Sequence, residues 1–267
     1  MGRVLYAAQT RVQLPPCCTS AAARLCAHYR PMTAQQRAVF SAALFILSQR
    51  EETDLYREQR NGYENQNRVI FDEAAGEYGI PIIKPVHGVK VDNWISFNFA
   101  RTCEEPEIHG VHFFVDDYQF LRVRQQPAAY VDKLKQFQAV TSPDFSTYTD
   151  FPKAVQVYNH FRKHWLGAFW QMHGLTVIPT ISWSDSRSFD WCFDGEPVGG
   201  TVAVSSVGTQ GAPKEKALFM DGYREMMARL RPDEIVFYGD VPDECWGNII
   251  QVKSFATMMR KRLFSDV

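Results

Sequence analysis

The chain has 267 residues, 45% of them hydrophobic and 22% charged. That suits a globular protein able to bury the core of one α/β domain. The formal net charge of −1 gives no overall electrostatic reason to expect a nucleic acid or an acidic membrane as partner. The near balance hides an asymmetry: the first fifty residues hold six Arg and no Asp, Glu or Lys. An acid-free, Arg-bearing start resembles a transit peptide. It equally fits an irregular basic extension over 1–32, or an upstream start with Met32 as the working one, and we favour these two. The apolar stretch 38–47 is too short to span a bilayer. The six cysteines, Cys17, Cys18, Cys26, Cys103, Cys192 and Cys245, contain no C-x-x-C pair. They read as thiols of a reducing compartment, consistent with a cytoplasmic protein.

Thr33 with Gln36 three positions on reads as the cap of an N-terminal helical segment, 33–79. A short helix is expected near 70–78. A first strand is expected over 80–83, pushed toward an edge by Pro81. Further strands are expected over 93–99, 111–115, 137–140, 175–181, 201–204, 234–238 and 248–252. Pro127 suits the first turn of a helix to about residue 136. The strongest helix opens at Pro152, with Val155, Tyr158, Phe161, Trp165, Phe169 and Met172 on one expected core face and Gly174 as its left-handed cap. A second clear helix spans 214–230, and a basic amphipathic helix, 253–264, closes the chain. The alternation predicts an α/β domain over 80–267 with mostly parallel strands. Because the early strands lack helices between them, the expected form is an irregular or incomplete (β/α) barrel.

Parallel strands gather their polar ends on one rim, where α/β folds bind and react. Asp144, after Ser142 and Pro143, is expected there as a general acid or base, or equally as a turn residue. Asp185 follows Trp183 at the end of a buried strand. A sugar or base stacked on Trp183, with Asp185 moving a proton, is one reading; an Asp185–Arg187 pair that fixes the loop is the other. Asp190 and Ser205 complete the expected substrate-binding set with Ser142, Trp183 and Arg187. His112 and Asp116, four apart on a strand, share a face and with Asp144 or Asp185 suit a divalent metal such as Zn or Mn. A hydrogen-bonded core histidine is the better reading of His112. Cys192 lacks a His nearby in sequence that would activate it.

Several stretches then resemble a known family: Ala139 to Tyr148, Asn159 to Arg162, Leu166 and Gly167, Trp170 and Gln171, Val177 to Asp185, Arg187 to Gly195, and Tyr238 with Gly239. His112, Phe113, Phe114, Asp116 and Asp117 fit the same pattern. The family is catalogued as domain of unknown function 4417, seen in bacteria, phages and other mobile elements. The resemblance covers roughly 80–245 and implies a cytoplasmic mobile-element protein with one α/β domain, but brings no activity with it. The leading expectation is hydrolysis or group transfer on a small sugar- or nucleotide-like ligand, with Asp144 and Asp185 as the acid/base pair. The alternatives are a metal-dependent phosphoesterase using His112, Asp116 and Asp144, and a non-catalytic module that binds a host protein.

Overall fold

The computed structural model describes residues 71–254. The chain divides into two compact units, Met1–Arg60 and Asn61–Val267, and every described residue belongs to the second. The helix expected from Thr33 and nearly all of the closing helix lie outside the described residues. No helix among the described residues is long and apolar enough to cross a membrane.

Seven strands run parallel and in chain order. β3 (Asn93–Ser96), β4 (His109–His112), β5 (Ala139–Thr141) and β6 (Val177–Ile178) form one ladder. β7 (Thr201–Ser205), β8 (Glu234–Tyr238) and β9 (Ile249–Val252) form a second. A parallel bridge between Thr180 and Ala203 joins the two. The mostly parallel α/β fold read from the sequence is therefore present.

Residues 70–78 are not a helix. β1 (Ala74–Ala75) and β2 (Ile80–Pro81) make a small antiparallel hairpin outside the parallel sheet. Gly76 and Gly79 turn it with φ of 69° and 59°, a conformation that glycine adopts without steric cost. The helix expected from Pro127 breaks into a 3-10 turn, Pro127–Tyr130, and one α-turn, α2 (Val131–Leu134), preceded by α1 (Leu121–Gln125). The two long crossovers are α3 (Lys153–Met172), between β5 and β6, and α4 (Pro213–Leu230), between β7 and β8.

Strand alternation sorts side chains into an inner and an outer set. Outward, Val140 and Val177 pack with Leu166 and Trp170 of α3, while Val202, Val204, Ile235 and Phe237 pack with Phe219, Tyr223 and Met226 of α4. Inward, Ala139, Ile178, Ala203 and Val236 cluster with Trp94, Phe114 and Val252, so strands from both ladders share one interior. The His112 and Tyr238 rings lie 4.5 Å apart although three strands separate β4 from β8. A sheet must curl strongly to allow that contact. Val86, Val89 and Val91 enter the same interior. Thr201 N donates to Val86 O, which places this segment at the strands' N-terminal ends. Among the described residues no ladder joins β3 to β9, and only 3-10 turns and loops link β3 to β4, β6 to β7 and β8 to β9.

The expected face of α3 needs correction. Trp165 and Phe169 are buried, but Val155, Tyr158 and Met172 are 41%, 46% and 55% exposed. The helix instead buries Gln156, Asn159, His160, Lys163, His164, Leu166, Gly167 and Trp170. Its polar side is enclosed by the β1–β2 hairpin and the segment before Pro197, which meet it with hydrogen bonds. Apolar periodicity cannot register a cover of that kind. Trp170→Ala is expected to cost ~3–5 kcal/mol in urea unfolding, and Met172→Ala, two positions on, less than about 0.5 kcal/mol.

Candidate functional site

β5 and β6 end side by side, and a reciprocal lock fixes their ends. Thr180 N donates to Ser142 Oγ at 2.8 Å, and Thr180 Oγ1 donates to Ser142 O at 2.7 Å. Ser142 is fully buried, so its hydroxyl aligns strands. The backbone turns through Pro143 and sets Asp144 on the rim, partly open to solvent. Burial pushes the Asp144 carboxyl up to about 6, with Lys163 pulling it down and Asp117 pushing it up. Asp117 accepts from Ser146 N and Oγ and pairs with Arg162 at 3.5 Å. The Arg162 guanidinium lies 3.7 Å from the Phe145 ring centroid, so α3 holds the loop that carries Asp144.

Beneath that loop lies a buried polar cluster. Lys163 Nζ, whose side chain is 1% exposed, donates at 2.7 Å to Thr180 O and at 2.7 Å to Glu196 Oε1. His164 Nε2 lies 2.9 Å from the same Glu196 oxygen, and its Nδ1 lies 2.9 Å from Pro81 O. His160 Nε2 lies 2.9 Å from Asp194 O. Burial pushes the Glu196 carboxyl up, but Lys163 and His164 together hold it below the usual glutamate range. Burial, helped by the charges of His164 and Lys163, keeps the His160 imidazole far below its ordinary value and so neutral. One donor atom from each of His160, His164 and Glu196 lies within 4.8 Å of the others. Gly195 admits this approach: a Cβ there would meet Pro81 O at 2.7 Å and His164 Nδ1 at 2.9 Å.

The remaining expected site residues fall elsewhere. Asp185 caps a 3-10 turn and receives three hydrogen bonds from the Arg187 side chain, the shortest 2.6 Å. Those bonds hold its carboxyl below the usual range, so the loop-fixing reading is the one the geometry carries and a proton-donor role is not. Trp183 is not a free platform: its indole lies against Gly222 and 5.5 Å from the Phe219 ring. Asp190 is exposed, and Ser205 Oγ accepts from Val207 N within its own loop.

His112 packs against the stacked Phe114 and Tyr238 rings, and burial lowers its pKa to about 4. Asp116 is exposed and accepts from Gln119. Among the described residues the metal-like group is therefore His160, His164 and Glu196, not His112, Asp116 and Asp144. Burial pushes the Cys192 thiol up to about 12, so a thiolate nucleophile is not available near neutral pH. The sequence reading passed over Lys163, His164 and Glu196. Its one available signal was polar side chains at steps of three and four (Asn159, His160, Lys163, His164) inside an otherwise amphipathic helix.

Removing Lys163 strands a buried carboxylate. Lys163→Met is expected to cost roughly 3–5 kcal/mol in urea unfolding, and adding Glu196→Gln to restore at least about 1 kcal/mol by removing the uncompensated charge.

A family model described as Domain of unknown function (DUF4417) matches residues 72–256. The Gene 1 protein of Mycobacterium phage L5 is 36% identical over 197 residues, covering 73% of this chain and 85% of that protein. The Gene 1 protein of Mycobacterium phage D29 is also 36% identical over 197 residues, covering 73% of this chain and 72% of that protein. No solved structure matches. The match takes in every strand of the parallel sheet, the rim loop of Asp144 and the cluster beneath it, and the chain belongs to the DUF4417 family.

Proposed function

We propose that this phage-type protein is a cytoplasmic enzyme of hydrolysis or group transfer, with Asp144 as its acid/base. It takes a small polar, sugar- or nucleotide-like group at the C-terminal rim of the parallel strands. One geometric observation carries the reading: Asp144 stands at the end of β5 on that rim, partly open to a ligand and near the buried Lys163, and desolvation pushes its carboxyl up to about 6. A proton carrier works best with a pKa near the operating pH, and an ordinary aspartate is too acidic to hold a proton there. Raised carboxylates cluster at functional sites because they cost stability and are retained for their chemistry. Arg162, over Phe145 and paired with Asp117, positions the loop, while Asp185 and Arg187 anchor the neighbouring one.

A second reading has its own support. Phe99, Tyr118 and Tyr148 are 54%, 74% and 60% exposed on segments that follow β3, β4 and β5. An exposed aromatic margin of this kind suits a non-catalytic module that docks a host protein.

The two readings separate on Asp144→Asn. A folded-state pKa above the unfolded value means that the unfolded chain holds fewer protons between about pH 4 and pH 6. Stability contributed by this group is therefore present below pH 4 and lost as pH rises through 6. The variant is expected to be more stable than wild type at pH 7 by roughly 1–3 kcal/mol. It is also expected to lose turnover of a panel of nucleotides and sugar phosphates followed by mass spectrometry, while wild-type rates inflect near pH 6. Asp144→Asn protein that turns over the same substrates at the wild-type rate removes the enzyme reading.

A further inference from the structure

We propose that His160, His164 and Glu196 form a buried site for a divalent transition-metal ion, with Zn2+ the best match to the donor set. The inference stands apart from the acid/base reading of Asp144. It starts from the hydrogen-bond accounting of the two imidazoles. Asp194 O and Pro81 O can only accept, so His160 Nε2 and His164 Nδ1 must carry the protons that face them. This leaves lone pairs on His160 Nδ1 and, in a neutral ring, on His164 Nε2.

His160 Nδ1 is buried and has no hydrogen-bond partner among the described residues. His164 Nε2 faces Glu196 Oε1 at 2.9 Å. Two acceptors cannot rest at that distance unless a proton or a cation lies between them. Glu196 Oε2, the other carboxylate oxygen, is likewise buried and without a partner among the described residues. His160 Nδ1 and Glu196 Oε2 are thus two buried lone-pair sites without a donor among the described residues, at a place of almost no solvent contact.

The chemistry of the set narrows the ion. Two imidazole nitrogens one helical turn apart and one carboxylate suit Zn2+, which takes such ligands at about 2.0–2.2 Å. Metal-binding histidines characteristically donate their second nitrogen to a carbonyl that fixes ring and tautomer; Asp194 and Pro81 fill that place here. One ligand atom from each of the three residues lies within 4.8 Å of the others, so small side-chain adjustments would bring the set onto one ion. Lys163 is the competing cation: it keeps Glu196 Oε1 and Thr180 O, and the ion would take Glu196 Oε2, the oxygen without a partner among the described residues. With His164 and Glu196 closed to solvent, the ion would be taken up as the chain folds rather than by the folded protein.

The test uses the full chain made in zinc-supplemented medium, passed through chelator-free buffer, then measured for zinc content and melting temperature before and after unfolding in urea with EDTA and refolding into metal-free buffer. His160→Asn is the chosen variant, because it removes a lone pair that bonds to nothing else described. Expected are about one zinc per chain in wild type, a lower melting temperature after EDTA, and zinc reduced to roughly a tenth or less in the variant. Wild-type protein with zinc at background and a melting temperature indifferent to EDTA overturns the proposal. So does a folded His160→Asn chain that keeps the wild-type zinc content.

Discussion

One ammonium group ties the functional half of this fold together. Lys163 Nζ reaches from the middle of α3 to the Thr180 carbonyl, just past β6, and to the carboxylate of Glu196. An ammonium in so dry a place is tolerated only because both partners meet it at 2.7 Å. The consequence is geometric. α3 cannot roll to bury its own aromatic stripe without breaking that contact, so the helix presents polar residues inward and leaves Tyr158 and Met172 outside. The same charge acts on Asp144, moderating the rise that burial imposes on its carboxyl. Helix orientation, the β5–β6 rim and the proton affinity of the rim carboxyl therefore share one cause.

How much of this was legible in the sequence depended on the kind of signal. β8 was expected over 234–238 and forms over Glu234–Tyr238, and α4 begins one residue before its expected start, at Pro213. Both are set by local rules, namely β-branched and aromatic runs and a proline at the first helical turn. The parallel arrangement was legible too, because helices between strands demand crossovers. β6 was not. The run 175–181 suggested a full strand, but only Val177–Ile178 pair regularly, because Pro179 interrupts the ladder before Thr180 rejoins it to Ala203. The hairpin at 74–81 was missed because two glycines with positive φ decide it, and their conformation is not written in hydrophobic pattern.

The site divided along the same line. The place of Asp144 on the rim was legible because strand ends follow from strand order. Asp185 and Arg187 could be read as a functional or as a structural pair, and their bidentate contact favours the structural one. Glu196 and Pro81 could not be found at all. They reach α3 from 32 and 83 residues away in sequence, and nothing local distinguishes them. A buried polar cluster is a tertiary property: its members look like surface residues until the cover is known. Membership in a family shared with mycobacteriophage proteins places the chain among relatives without supplying chemistry, so function rests on the rim and on what lies under it.

The central claim is that the fold lifts the Asp144 carboxyl by desolvating it on the rim, against the opposing pull of Lys163. Its most direct test is a 13C NMR titration of the Asp144 carboxyl carbon in the intact chain. A midpoint near 6 is the expected result, and a midpoint at the ordinary aspartate value of 3.8 would contradict the account.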